Sequence, residues 1–299
     1  MKQFTGTGVA LVTPFRRGKV DYVALARVVE HVIAGGVDFL VVLGTTGEAA
    51  MLSEKEEQEV LQFIIKTNAG RLPLVIGHFG GNNTAQLVAK LQQYDYQGVD
   101  AIMAASPAYV KPTQEGIFQH YMQLAAASPL PIIIYNVPGR TASNIEAKTI
   151  LRLAETSDKF VAVKEASGDM TQGAQIIKNC PEHFAILSGD DPTALSLMAC
   201  GADGGISVIA NALPTLFSDL IRATLNNDWH TARQIHLDLL DIHPLLYVEG
   251  NPVGVKGALK ILKICRKEVR LPLVSISDET YLELEKELRK IRQSRILAR

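Results

Sequence analysis

The chain has 299 residues, 47% of them hydrophobic and 20% charged, with a formal net charge of −1. That composition supplies a large core, compatible with one α/β barrel domain. The near-neutral balance, with no basic block, argues against nucleic acid as a partner, and no apolar run approaches the roughly 18 residues of a membrane span. Cys180, Cys200 and Cys265 are too widely spaced for a disulfide framework or a metal knuckle, and Met1-Lys-Gln-Phe-Thr-Gly6 does not open a signal peptide, so a soluble cytoplasmic protein is expected.

Short apolar runs recur along the chain. They are Val9–Val12, Phe39–Leu43, Leu74–Ile76, Ala101–Met103, Ile132–Tyr135, Phe160–Val163, Phe184–Leu187 and Gly205–Val208. Between them lie amphipathic stretches that predict helices, among them Tyr22–Ala34, Glu54–Lys66, Thr84–Tyr94, Gln114–Ala127 and Ile145–Glu155. Ser53-Glu-Lys-Glu56 reads as a capping box, and Asp191-Pro192 as a helix start. Strands alternating with helices predict a parallel sheet covered on both faces. Eight such units predict a closed (β/α)8 TIM barrel over residues 1–226. No G-x-G-x-x-G follows the first strand, which argues against a dinucleotide fold. Residues 227–299 read as a C-terminal three-helix appendage: Trp229–Leu246, Val253–Ile264 and a charged, mostly solvated Glu279–Arg295. Glu249-Gly-Asn-Pro252 and Arg270-Leu-Pro272 separate the three.

The carboxyl ends of barrel strands carry the chemistry of such folds. Here they read Gly44-Thr-Thr-Gly-Glu48, Ser106-Pro-Ala-Tyr109, Tyr135-Asn-Val-Pro-Gly-Arg140-Thr141, Lys164, Ser188-Gly-Asp-Asp191 and Gly205-Ile-Ser207. A lysine ending a buried strand is costly as a cation, and burial favours the neutral, nucleophilic amine that forms a Schiff base. The competing reading is a lysine that reaches solvent or pairs with Glu165. Glu48 is expected to tie down its loop, Arg140 could pair with a surface carboxylate, and Asp190 and Asp191 read as caps of the next helix. His78, His120 and His243 are isolated, so no metal site is expected.

Gly44-Thr-Thr-Gly-Glu48, Tyr135-Asn-Val-Pro-x-Arg-Thr141, Val163-Lys-Glu-Ala166 and Leu187-Ser-Gly-Asp190 together resemble the pyruvate-dependent class I aldolase family that includes the N-acetylneuraminate lyases. The resemblance spans essentially the whole chain. Thr45-Thr46 and Arg140 look most similar to the branch that condenses pyruvate with L-aspartate 4-semialdehyde to 4-hydroxy-tetrahydrodipicolinate, on the route to diaminopimelate and lysine. The resemblance implies that Lys164 forms the Schiff base and that Tyr135, Thr46 and Tyr109 relay protons. It further implies that Thr45 and Thr46 hold the pyruvate carboxylate and Arg140 the carboxylate of the second substrate, with Gly189 and Ile206 also lining the site. No cofactor is implied. Tyr109 would come from a neighbouring subunit, in a homotetramer built as a dimer of dimers.

Ala108 stands where many members have a second tyrosine. Ala49, Glu54, Glu57 and Gln86 depart from the pattern that binds inhibitory lysine, whereas Asn82 keeps it; weak or absent lysine inhibition is expected. Three other readings stay open: a sister aldolase acting on a sugar acid or hydroxy-keto acid, a barrel binding phosphate at Gly201-Ala-Asp-Gly-Gly205, and a non-catalytic barrel.

Overall fold

The structure, a computed structural model, describes residues 2–77 and 79–297; His78 lies outside them. Eight parallel strands close a barrel: β1 (Gly6–Ala10), β2 (Phe39–Val42), β3 (Leu74–Ile76), β4 (Ala101–Ala105), β5 (Ile132–Asn136), β6 (Phe160–Glu165), β7 (Ala185–Ser188) and β8 (Gly204–Ser207). Each pairs with its sequence neighbours, and β1 closes the ring between β8 and β2. Helices α1 (Tyr22–Ala34), α2 (Glu54–Asn68), α3 (Thr84–Gln93), α4 (Gln114–Ala127), α5 (Ala147–Thr156), α6 (Met170–Asn179), α7 (Ala194–Ala199) and α8 (Pro214–Leu225) surround it. This is the expected TIM barrel.

Side chains alternate across each strand, so the barrel has two cores. One fills the interior and includes Phe39, Val41, Met103, Ile133, Tyr135, Leu187 and Ile206; the other lies between sheet and helices. The first strand begins earlier than its apolar run suggests. Glycines hide its start: a Cβ on Gly8 would lie 2.3 Å from the Phe39 ring. A short hairpin, Phe15–Arg16 with Lys19–Val20, had no signal long enough to read as strands.

The Ser53 capping box forms, with the Glu56 amide 3.3 Å from Ser53 Oγ and the Ser53 amide 3.0 Å from Glu56 Oε2. Asp191-Pro192 opens a 3₁₀ turn, Asp191–Thr193, ahead of α7.

The C-terminal region departs from three helices. The first breaks into α9 (Trp229–Leu239) and α10 (Ile242–Tyr247); α11 (Val253–Ile261) and α12 (Asp278–Leu297) follow. Pro244 lacks the amide hydrogen needed to donate to Leu240, so one continuous helix is interrupted there. As expected, α12 is mostly solvated, but it docks through one stripe: Leu284, Leu288 and Ile291 are buried on one face, at helical spacing. Among the described residues, no helix is long and apolar enough to cross a membrane.

Candidate active site

Strand alternation decides where the Lys164-Glu165 pair points. Lys164, 5% exposed, faces the barrel interior, with Nζ 4.4 Å from the centre of the Tyr135 ring on the adjoining strand, where the two residues are in register. Glu165 faces outward and does not pair with it. Its carboxylate accepts from Asn136 Nδ2 at 3.0 and 3.2 Å, from Gln172 Nε2 at 3.0 Å and from the Ser167 amide at 2.7 Å. Asn136 Oδ1 in turn accepts the Ile145 amide at 2.9 Å. This buried network fixes the ends of β5 and β6 and hence the positions of Tyr135 and Lys164. Lys164 makes no ion pair among the described residues.

A cavity of about 370 Å³ opens over these two side chains. Thr45, Thr46, Tyr135, Arg140, Lys164 and Gly189 all line it. Gly189 is confined by its neighbours: a Cβ there would lie 2.6 Å from that of Ala166 and 2.9 Å from Lys164 Cγ. Arg140 sits on the helical turn Pro138–Thr141, exposed and without a carboxylate partner among the described residues, so its fork is available to the cavity. Ile206 packs in the interior core and is not part of the lining. Tyr109 is 88% exposed, with φ +69°, and stays outside its own chain's cavity. Its amide donates to the Thr141 carbonyl at 2.9 Å, which ties the Tyr109 loop to the Arg140 turn.

The Thr45-Thr46 loop is a tight turn, with amides of Gly47 and Glu48 donating to Gly44 and Thr45 carbonyls. Glu48 adopts a left-handed conformation, φ +55°, and its side chain is fully buried against Lys256 of α11. It accepts the Arg270 amide at 3.0 Å, while Lys256 Nζ donates to the Glu268 carbonyl at 2.9 Å and lies 4.2 Å from the centre of the Phe15 ring. Burial lowers the Lys256 pKa, and Glu48 opposes that shift. Glu48 therefore anchors its loop, as expected, through a partner more than 200 residues away.

Two further lining residues come from the C-terminal region: Asn251, read only as part of a separator, and Tyr247, just past the end of the expected Trp229–Leu246 helix. Asn251 Nδ2 donates to Thr46 Oγ1 at 3.0 Å. The Tyr247 hydroxyl donates to Asp191 Oδ2 at 3.3 Å. Burial, and then the adjacent Asp191 and Asp190 carboxylates, hold the Tyr247 phenol protonated well above its usual range. Asp191 is not a helix cap; it accepts the Val208 and Ile209 amides at 3.0 and 2.8 Å and joins the ends of β7 and β8. Asp190 does cap, accepting from Thr193 N and Oγ1. Gly201-Ala-Asp-Gly-Gly205 enters β8 at its amino end, away from the cavity, so it is not a phosphate cradle at the barrel mouth.

A buried primary amine, a tyrosine against it, threonine hydroxyls and an exposed guanidinium suit carbonyl chemistry on a carboxylate-bearing substrate. A family model, the dihydrodipicolinate synthetase family, matches residues 3–291. A 4-hydroxy-tetrahydrodipicolinate synthase of Cytophaga hutchinsonii is 46% identical over 286 residues, covering 95% of this chain and 96% of its own. The crystal structure of dihydrodipicolinate synthase from Aquifex aeolicus matches with a TM-score of 0.92 at 41% identity, over 97% of this chain and 98% of that one. A monomeric dihydrodipicolinate synthase variant matches at 0.93 and 33% identity, over 96% and 97%.

Proposed function

The chain belongs to the dihydrodipicolinate synthetase family, and from that premise we propose that it condenses pyruvate with L-aspartate 4-semialdehyde through a Schiff base on Lys164. The observation that carries this reading is the Lys164 amine, buried in the barrel interior against the Tyr135 ring and opening on a cavity that also holds Arg140. Lys164 attacks the pyruvate ketone; loss of water gives the imine, and loss of a methyl proton gives an enamine nucleophile. The enamine adds to the aldehyde. The amine of the second substrate then attacks the imine carbon, closing the ring and releasing Lys164. The lysine itself supplies the electron sink, so this sequence calls for no cofactor.

Tyr135 and Thr46 carry protons in this reading, with Asn251 orienting the Thr46 hydroxyl through their hydrogen bond. Thr45 and Thr46 take the pyruvate carboxylate, and the Arg140 fork takes that of the aldehyde. Gly189 leaves room for the Lys164 side chain. Ile206 contributes from the interior layer. Tyr109 completes the relay of a neighbouring subunit, which accounts for a tyrosine held in a left-handed conformation and 88% exposed in one chain. A homotetramer, assembled as a dimer of dimers, is the corresponding assembly. A reducing, cytoplasmic setting suits three cysteines that are all free.

Pyruvate consumption measured with and without aspartate semialdehyde tests the reading, with N-acetylneuraminate cleavage as the rival activity. Semialdehyde-dependent turnover that falls at least about hundredfold in kcat/KM in Arg140→Ala is expected, as for loss of a bidentate charged contact. Cleavage of the sugar acid, or turnover indifferent to Arg140, would contradict it.

A further inference from the structure

The cavity lining is divided by charge. Lys164 lies in β6 and Arg140 follows β5, whereas Asp190 follows β7 and Tyr247 arrives from α10. Behind Tyr247 lies Asp191, 3% exposed, whose Oδ2 receives two backbone amides and the tyrosine hydroxyl. A carboxylate only accepts, so the single phenolic proton is directed at Asp191. The lone pairs of Tyr247 Oη remain for another donor, and the field of the Asp191 and Asp190 carboxylates favours a positively charged one. Pyruvate has no such donor. The aldehyde substrate assigned above has one, its α-ammonium group, beside the carboxylate that Arg140 takes.

We propose that Tyr247 is a specificity-determining residue whose hydroxyl oxygen accepts a hydrogen bond from the α-ammonium of the aldehyde substrate. This rests on the function proposed above. Tyr247 and Arg140 would together grip both charged groups at the amino-acid end of that molecule. They leave its aldehyde free to meet the enamine on Lys164, and hold the nitrogen that attacks the imine carbon once the ammonium has given up a proton. Asn251 donates through Nδ2 to Thr46, and its buried Oδ1, without a hydrogen-bond partner among the described residues, is a second acceptor in the same lining.

The test uses the full-length enzyme and Tyr247→Phe, which keeps the ring and removes only the oxygen. Two aldehydes are compared: aspartate semialdehyde as substrate, and 4-oxobutanoate, which lacks only the α-ammonium and keeps the carboxylate and the chain length, as competitive inhibitor. KM for the amino aldehyde is expected to rise roughly ten- to hundredfold, the range of a hydrogen bond to a charged group. The inhibition constant of 4-oxobutanoate should move by less than about twofold, since a group it lacks cannot report the loss. An unchanged KM overturns the proposal. So does equal weakening of both aldehydes, which would make Tyr247 only a shaped wall. Should the wild-type enzyme form the pyruvate adduct but not turn over the amino aldehyde, the second-substrate assignment falls first, a result distinct from a silent Tyr247→Phe variant.

Discussion

Replacing Lys256 by Met isolates the contribution of the strap between α11 and the Thr45-Thr46 loop. Both partners of the Glu48–Lys256 pair are fully buried, so no water replaces the lost ammonium. The variant also loses the 2.9 Å bond to the Glu268 carbonyl and the cation over Phe15. Glu48 keeps the Arg270 amide as its hydrogen-bond donor among the described residues, with the field of the Arg270 guanidinium beside it. Removing one partner of a buried pair costs about 3–5 kcal/mol, a large share of the roughly 5–15 kcal/mol that holds a domain folded. Urea denaturation followed by circular dichroism, at fixed protein concentration, reads this as a lower midpoint. Adding Glu48→Gln removes the stranded charge, so the double variant should be more stable than Lys256→Met alone. A loss under about 1 kcal/mol, or a double variant worse than the single, would refute the reasoning.

Other consequences follow from the same geometry. The Arg270 guanidinium, at 2.5 and 2.8 Å from the Glu56 oxygens, holds that carboxyl down at about 2. The unfolded chain takes up the proton at higher pH, so the pair's stabilisation is complete above the ordinary value of 4.5 and is lost as pH falls towards 2. Stability measured between those limits should fall by roughly 1–3 kcal/mol more in the wild type than in Arg270→Gln, and parallel curves would contradict this. Gly189→Ala should fold but form the pyruvate adduct slowly, because the added methyl displaces Lys164 and Ala166; stopped-flow trapping at the wild-type rate would count against it. Mixing inactive Lys164→Ala with weakly active Tyr109→Phe, then allowing subunits to exchange, should restore activity if Tyr109 serves a neighbour's cavity. No recovery in demonstrably mixed oligomers would assign Tyr109 elsewhere. L-lysine should inhibit weakly, because in the cleft lined by Glu54, Glu57, Asn82 and Gln86 the Glu57 carboxylate is already paired with Lys90 at 3.6 Å and Gln86 brings no charge to hold an ammonium; potent inhibition in the turnover assay would overturn that expectation.

The barrel was legible because most strands are short apolar runs buried on both faces, and because the alternation of β6 turns Lys164 inward and Glu165 outward. The cavity motifs after β2, β5, β6 and β7 were legible for a related reason: barrel topology brings successive strand ends to one mouth. Tyr247 and Asn251 were not. They lie in a region whose sequence shows only helices and a Gly-Asn-Pro break, and their role depends on how that region docks. Lys256 did leave a signal, a cation flanked by apolar residues and glycine in the first half of α11, and a buried lysine demands a buried carboxylate such as Glu48. The division of Trp229–Leu246 into two helices had its signal in Pro244. The inward stripe of α12 was masked by the high charge of that helix.

The most direct test of the central claim is intact-mass analysis after incubation with pyruvate and borohydride. The account predicts one reduced pyruvyl group per chain, mapped by peptide sequencing to Lys164 and missing in Lys164→Ala. Folded protein that remains unmodified, or an adduct on any other lysine, would contradict it.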